Sequence, residues 1–345
     1  MSGSRYLILL LWLGLIMQGF GFSQTHFNGH RFFNPFPGFE ARSTGDILKW
    51  FFWDRLTGKR KVPDPQEAVL PLANAHPELL KENRTRFSVT WIGHSTLFIQ
   101  LDGVNILTDP IFSTRCSPFS FIGPKRAVPP GIPLDSLPPI DLVVISHDHY
   151  DHLDKATIKR LGNRPLYVVP IAIGTTLRSW GITHFIELDW WGAFKFKGLT
   201  IVCTPAQHFS GRTPWGQNRT LWASWLIKGS SSFYFGGDTG YFPGFDEIRH
   251  REGKIDYAAL PIGANAPRWF MKPVHMNPAD AVKAFLELNA HVLLPIHWGT
   301  FQLGDEPLDA PPKMLAKEAE KKHIALERLW ILKHGETRFS QSGGD

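Results

Sequence analysis

The fold is decided by residues 140 to 154, which read IDLVVISHDHYDHLD. The segment from Ile140 to Ile145 is short, rich in β-branched residues and preceded by Pro138-Pro139, which predicts a buried strand. The nine residues from Ser146 to Asp154 then carry three histidines and three aspartates into the loop that follows. Imidazoles and carboxylates are common metal ligands, so this loop predicts a metal site with enough donors for two ions. A solvated His-rich turn is the alternative.

Three further side chains with metal-binding chemistry follow predicted strands in the same way. They are His208, Asp238 and His297, after strands predicted at 200–204, 232–235 and 291–296. Each alone is more often a satisfied polar residue than a ligand. Their recurrence at strand ends, together with the loop at 147–152, predicts one shared centre. Further strands are predicted at 221–227 and, as the closing strand, at 329–333. Two strand-rich halves with helices between the strands favour two packed sheets covered by helices.

The order of these motifs resembles the metallo-β-lactamase superfamily. Its signature HxHxDH stands at 147–152, and a His, an Asp and a His follow in the expected order over roughly residues 86–335. The segments WIGHST at 91–96, ELDWW at 187–191 and PIHWG at 295–299 resemble one branch of that superfamily. That branch contains the N-acylphosphatidylethanolamine-hydrolysing phospholipase D and its bacterial relatives. The resemblance implies an α/β fold, a four-layered αββα sandwich, and a metal-dependent hydrolase.

The resemblance also implies two metal ions per chain and a residue set for each. The first ion is expected at His147, His149 and His208. The second is expected at Asp151, His152 and His297. Asp238 would bridge the two ions. Zinc suits these nitrogen and oxygen donors, and manganese or iron would satisfy the same set.

Asp151, Asp238 and His275 are expected to be catalytic. His275 lies in the segment PVHMNP at 273–278, between two of the predicted ligands. In the resembled family a histidine at this motif lies in the active site, so it is assigned to the substrate or the leaving group. A packed or solvated loop histidine is the alternative.

Other side chains are expected to support the centre. Asp109 ends a predicted strand and is expected to fix the tautomer of a ligand imidazole. His94 is expected to line the pocket and Tyr150 its rim, while Asp148 and Asp154 shape the loop and cap a helix. An aromatic set is expected to form an acyl-chain groove, with core packing as its alternative: Trp190, Trp191, Phe209, Trp215, Trp269 and Phe270. Four basic residues in the same loops are expected to attract phosphate: Arg212, Arg219, Arg268 and Lys272.

The favoured function is a dinuclear zinc phosphodiesterase of the phospholipase D type, acting on N-acylphosphatidylethanolamine-like lipids through a metal-bridging hydroxide. The ligands alone do not decide between phosphorus and carbonyl centres. A lactonase, β-lactamase or thioesterase, or a non-lipid phosphodiesterase, is the alternative on the same fold. A non-catalytic metal-binding envelope protein is a third hypothesis, disfavoured by the complete ligand set.

Composition restricts the partners. The net charge is +6 over 345 residues, but Lys and Arg are scattered, so no nucleic acid is expected. The expected substrate is a phospholipid or another phosphodiester, and the protein is expected to act at a membrane surface. A homodimer is one possible oligomeric state. Cys116 and Cys203 form one disulfide or remain two buried thiols.

The chain divides into three parts. Residues 1–23 carry Arg5 and an apolar run, which is typical of a signal peptide or an N-terminal membrane anchor. The protein is therefore expected to be exported to the periplasm or the extracellular space, or to be anchored in the membrane and face the envelope. Residues 24–85 form an aromatic and Pro-rich extension, whose segment 47–53 either packs across the domain or meets lipid. Residues 86–345 form the hydrolase domain.

Overall fold

The computed structural model describes residues 26–213 and 215–340. The predicted leader at residues 1–23 lies outside the described residues. Within the described ranges, no helix combines the length and the apolar character needed to cross a bilayer.

Two mixed β-sheets form the body of the protein. The strands are β1 Ser88–Gly93, β2 Thr96–Leu101, β3 Val104–Thr108, β4 Leu142–Val144, β5 Leu166–Pro170, β6 Phe185–Leu188, β7 Ala193–Phe196, β8 Leu199–Thr204, β9 Ser224–Lys228, β10 Ser232–Phe235, β11 Tyr257–Pro261, β12 Val292–Ile296 and β13 Thr337–Phe339. The first sheet has seven strands in the order β13-β1-β2-β3-β4-β5-β6, and the second has six in the order β12-β11-β10-β9-β8-β7. Each sheet therefore mixes antiparallel and parallel pairs.

Helices cover the outer faces of both sheets. The α-helices are α1 Thr44–Leu48, α2 Asp54–Leu56, α3 Pro77–Glu82, α4 Lys155–Leu161, α5 Ile173–Ser179, α6 Gly244–Glu252, α7 Arg268–Met271, α8 Pro278–Glu287 and α9 Ala310–Lys321. Strand β4 shows how the layers form: Val144 joins the core between the sheets, whereas Val143 joins a second core shared with α3, α4 and α5. Alternate residues of a strand face opposite sides, so one apolar run serves both cores. The four-layered αββα sandwich is confirmed.

The strand directions bring the predicted site residues to one edge. In the first sheet β1, β3 and β4 run the same way, because β2 is antiparallel to both of its neighbours and β3 is parallel to β4. In the second sheet β8, β10 and β12 run the same way, since β9 is antiparallel to β8 and β10, and β10, β11 and β12 are parallel. The C-terminal ends of the three strands in each sheet therefore lie at the same edge of that sheet.

The extension lies against the domain. Its segment at 47–53 runs from α1 through a π-helical turn, Lys49–Trp53, into α2. Trp50 is buried against Phe270 and Met271, while Phe52 and Trp53 are 62% and 61% exposed. Packing across the domain therefore holds for Trp50, and lipid contact by the exposed residues stays a prediction.

Two features differ from the sequence prediction. The strand predicted at 329–333 is wrong: that segment makes a single bridge, between Leu293 and Leu329, and the closing strand is β13, which pairs with β1. The strand predicted at 221–227 begins only at Ser224. Cys116 and Cys203 are both buried and unpaired, so the structure has no disulfide between them.

Candidate metal centre

Four of the six strands that reach this edge are followed by a left-handed backbone turn. His94 follows β1 with a φ of 55°, Asp109 follows β3 with a φ of 33°, and His297 follows β12 with a φ of 61°. Gly237, with a φ of 56°, immediately precedes Asp238 after β10. Left-handed backbone is costly for residues other than glycine and is concentrated at functional sites. The strained turns set these side chains toward the space between the two sheets.

Three imidazoles form the first cluster of this centre. His147 Nε2 lies 2.8 Å from His149 Nδ1, and His149 Nδ1 lies 3.3 Å from His208 Nε2. Two nitrogens that bind one tetrahedral zinc ion at its usual bond length are roughly 3.3 Å apart. The three side chains predicted for one ion are therefore brought together with their ring nitrogens converging.

A carboxylate organises the second cluster. Asp151 Oδ2 lies 3.2 Å from His152 Nε2 and 3.4 Å from His297 Nε2. His94 Nε2 also lies 2.9 Å from the same oxygen. The structure thus brings together the three side chains predicted for the second ion. It also adds His94, which was expected only to line the pocket, as a direct contact of Asp151.

Asp238 lies between the two clusters. Its Oδ2 is 3.2 Å from His152 Nε2 and 3.1 Å from His297 Nε2, on the side of the second cluster. The same oxygen is 3.8 Å from His208 Nε2, which belongs to the first. Although burial opposes it, the positive charges of His152 and His297 hold the pKa of Asp238 well below its usual range. A carboxylate in this position can contact ions in both clusters.

Hydrogen bonds behind the centre orient the imidazoles. His152 Nδ1 donates to Asp109 Oδ2 over 2.6 Å, which leaves Nε2 facing the centre, where a metal ion would displace its proton. His147 Nδ1 lies 2.9 Å from the hydroxyl of Ser146, and that hydroxyl donates to Asp109. Asp109 therefore holds one imidazole of each cluster, one directly and one through Ser146. His208 Nδ1 is fixed in the same way by the carbonyl of Val274, at 2.9 Å.

The donor atoms fit a metal, and three of them make no hydrogen bond. His152 Nε2, His297 Nε2 and Asp238 Oδ1 are buried without a hydrogen-bond partner among the described residues. Buried polar atoms are rarely left unpaired, so the convergence of several such atoms fits the binding of a cation. Imidazole nitrogens and carboxylate oxygens are also the usual donors for zinc. These residues therefore fit the divalent metal ions that the resemblance implies.

His275 borders both clusters. Its Nδ1 lies 3.9 Å from Asp238 Oδ2 and has no hydrogen-bond partner among the described residues. Its ring centroid is 5.2 Å from that of His208 and 5.4 Å from that of His297. Burial lowers the pKa of His275 to about 3. The packed or solvated alternative for this histidine does not account for a ring edge that faces the centre.

The residues around the loop have structural contacts. Asp148 Oδ1 accepts from the backbone of Gly211 over 2.7 Å, and Asp154 caps α4. The hydroxyl of Tyr150 donates to the carbonyl of Arg212, whose guanidinium lies 4.0 Å above the Tyr150 ring. Together these contacts fix the loop that carries the first four predicted ligands.

The expected acyl-chain groove is only partly supported. Trp190 is buried, with its indole donating to the carbonyl of Trp222 and its ring stacked on His26 of the extension. Trp191 is half-buried beneath Arg251 of α6, at 4.2 Å. Core packing, the alternative for this set, therefore describes Trp190 and Trp191, which lie in or against the main core. Phe209 does reach the centre, since its ring lies 4.5 Å from that of His149.

The basic loop residues are also occupied or exposed. Arg212 donates to the carbonyls of Asp148 and Leu153, and Arg268 pairs with Asp280 over 2.6 Å. Arg219 and Lys272 are exposed on the surface. None of these four residues therefore presents a free, partly buried cation to the centre.

Comparison with known proteins agrees with this geometry. A family model described as the beta-lactamase superfamily domain matches residues 104–298, which include the ligand candidates of both clusters. The chain belongs to the metallo-β-lactamase superfamily. A solved metallo hydrolase from Ignicoccus hospitalis is 26% identical, covers 75% of this chain and all of its own, and superimposes with a TM-score of 0.57.

Two relatives extend the similarity beyond the family domain. An uncharacterized protein of Mycobacterium bovis is 42% identical over 287 residues, which cover 81% of this chain and 75% of the relative. The N-acyl-phosphatidylethanolamine-hydrolyzing phospholipase D 1 of Caenorhabditis elegans is 38% identical over 286 residues, 79% of either chain. The expected resemblance to that branch is confirmed. The chain is a metal-dependent hydrolase of the metallo-β-lactamase fold.

Proposed function

We propose that the protein is a dinuclear zinc phosphodiesterase of the phospholipase D type, acting on N-acylphosphatidylethanolamine-like phospholipids. The position of Asp238 carries the dinuclear part, because its carboxylate contacts histidines of both clusters. The similarity to the Caenorhabditis elegans phospholipase supports the substrate class. The products would be phosphatidate and an N-acylethanolamine.

The chain's own residues divide the task. His147, His149 and His208 would hold one ion, and Asp151, His152 and His297 the other, with Asp238 between them. When bound, two such ions lower the pKa of water toward neutrality and neutralise charge on a phosphoryl group. His275 faces the same space and is positioned to hydrogen-bond the phosphoryl or leaving-group oxygen.

A lipid surface would meet the protein beside this centre. Three large apolar side chains of the π-helical turn and α2 are strongly exposed: Phe52, Trp53 and Leu56. The neighbouring Trp50 stacks on Phe270 at 4.5 Å, and Phe270 lies five residues before His275. Exposed apolar side chains near a pocket are typical of membrane-binding enzymes. We propose that this turn contacts the bilayer and that residues 1–23 direct export or anchoring.

Hydrolysis of defined substrates tests the proposal. Zinc-loaded protein is assayed with N-acylphosphatidylethanolamine in vesicles, with bis(p-nitrophenyl) phosphate, and with a lactone, a β-lactam and a thioester. Mass spectrometry should detect phosphatidate and N-acylethanolamine, with one oxygen from labelled water in the phosphatidate. Asp151→Ala and His297→Ala should abolish this turnover and remain folded. Cleavage of a carbonyl substrate without any phosphodiester cleavage would refute the phosphodiesterase assignment, and cleavage of soluble diesters alone would refute the lipid.

A further inference from the structure

One basic side chain near the centre comes from the extension, outside the hydrolase domain. Arg42 belongs to the extension, just before α1, and its side chain is half-buried. Its Nε donates to the carbonyl of Phe270 over 2.8 Å. The guanidinium carbon lies 4.2 Å from the centroid of the Phe270 ring and 5.4 Å from that of Phe209. One hydrogen bond and two aromatic faces therefore fix the position of this cation.

That position is next to the proposed ligands. Phe209, one of the two rings beside Arg42, lies 4.5 Å from the ring of His149 and 4.8 Å from that of His208. Burial is the main cause that lowers the pKa of His275, and the positive charge of Arg42 contributes to the lowering. Arg42 thus approaches the first cluster across the ring of Phe209, and its charge also acts on His275.

One end of the guanidinium has no partner. The Nη2 atom of Arg42 is buried and makes no hydrogen bond within the described residues. No carboxylate of those residues forms an ion pair with Arg42, although Arg60, also in the extension, pairs with Asp305 over 2.8 Å. Burial lowers the pKa of Arg42 to about 10, so the group stays charged at neutral pH. A buried, charged N–H without an acceptor is unfavourable unless a ligand supplies one.

We infer that Arg42 is a substrate-binding residue, whose guanidinium holds the anionic phosphodiester group of the substrate beside the metal centre. The inference rests on the proposed function for the identity of the anion. Arginine suits this role because its planar N–H groups match phosphate oxygens and remain charged. The extension would then complete the binding site and select anionic diesters over neutral esters.

Equilibrium binding separates this role from a structural one. Dimethyl phosphate is titrated into the zinc-loaded protein by calorimetry, for the wild type and for Arg42→Gln, Arg42→Lys and Arg31→Gln. Arg31 is the matched control, since it is in the same extension and donates to a backbone carbonyl, that of Gln217, at 2.9 Å. Metal content and thermal midpoint are measured for every variant.

The expected result is selective. Arg42→Gln should weaken dimethyl phosphate binding by roughly 10-fold to 100-fold and raise KM for bis(p-nitrophenyl) phosphate similarly, because a hydrogen bond to a charged group is lost. Arg42→Lys should lose less, and Arg31→Gln should bind as the wild type does. Metal content should remain unchanged in all three variants.

The contrary results are equally definite. Unchanged dimethyl phosphate affinity in Arg42→Gln would overturn the inference, even if the wild type cleaves phospholipids. A loss of metal together with affinity in Arg42→Gln and Arg42→Lys alike would overturn it in favour of a structural role. If the wild type cleaves no diester but its binding of dimethyl phosphate still depends on Arg42, the proposed function is refuted. The binding role of Arg42 then still stands.

Discussion

Replacing Asp109 by asparagine should weaken both halves of the metal centre from behind. The carboxylate accepts from His152 Nδ1 over 2.6 Å and from the backbone N–H of Ser146 over 2.6 Å, and also from the Ser146 hydroxyl. An asparagine offers one acceptor oxygen and one N–H₂ group. In either orientation of the amide, its N–H₂ group therefore faces an N–H donor, either that of Ser146 or that of His152. If the amide nitrogen faces His152, the ring proton is displaced toward the atom that faces the centre.

The size of the effect follows from the contacts that are lost. A hydrogen bond to a charged group contributes about 1.5–3 kcal/mol, which corresponds to roughly 10-fold to 100-fold in an equilibrium constant. Loss of a partner behind a ligand histidine typically reduces metal affinity or activity by the same range. Because Asp109 also holds His147 through Ser146, both zinc affinities should fall, with the larger change at the His152 site.

Competition with a fluorescent chelator measures these affinities. Metal-free protein is titrated with zinc in the presence of the chelator, and the two dissociation constants are fitted. Asp256→Asn is the matched control, since Asp256 accepts from the backbone N–H and hydroxyl of Ser232 but contacts no imidazole. The control should retain the affinity of the wild type. Equal zinc affinity in Asp109→Asn and wild type would refute the reasoning.

Three other predictions follow from separate features. His275→Gln should reduce kcat by roughly 10²-fold to 10⁴-fold and leave the metal content unchanged, because proton transfer or hydrogen bonding at the reacting group is lost. Steady-state kinetics together with metal analysis checks this. Phe52→Ser combined with Trp53→Ser should reduce sedimentation with anionic vesicles and leave the rate on a soluble diester unchanged; undiminished sedimentation would contradict the lipid surface. Burial lowers the pKa of His334 to about 4, below its value in the unfolded chain. The unfolded chain therefore binds a proton first, so the stability that the neutral imidazole contributes is complete above about pH 6.5 and is lost as the pH falls toward 4. Between pH 6.5 and 4, urea unfolding should show the free energy of unfolding falling by at most about 3 kcal/mol because of this group, and His334→Gln should show a smaller fall. An identical dependence of the free energy of unfolding on pH in the two proteins would contradict the assignment.

Local pattern was enough to predict the fold class and the convergence of the site residues. The apolar strands that precede His147, His208, Asp238 and His297 all exist, and each ends within four residues of the polar side chain. Parallel strands of one sheet end at the same edge, so a side chain that follows each strand must approach the others. The position of these residues directly after predicted strands was therefore the signal that they meet in one centre.

The errors come from segments whose structure is set by distant parts of the chain. The predicted strand at 329–333 has buried apolar residues, but its backbone pairs only once, and the half-buried β13 supplies the edge of the first sheet instead. The sequence left Trp190 open between a groove and the core, because it could not show that His26 stacks on its ring. Sequence adjacency does not show which surface another segment will bury.

Arg42 and Ser146 show the same limit at the site itself. Nothing local distinguishes Arg42 from other arginines, because its position depends on the extension crossing to Phe270, 228 residues away in sequence. Ser146 had a usable signal, since it directly precedes the first histidine of the motif. Its link between His147 and Asp109 depends, however, on the pairing of β3 with β4.

Metal content per chain tests the central claim most directly. Protein loaded with zinc and then desalted is analysed by elemental mass spectrometry against its concentration. Two zinc ions per chain are expected for the wild type. One is expected for the double variant His147→Ala with His149→Ala, which removes two of the three imidazoles of the first cluster. A wild-type value of one ion or fewer would contradict the dinuclear centre.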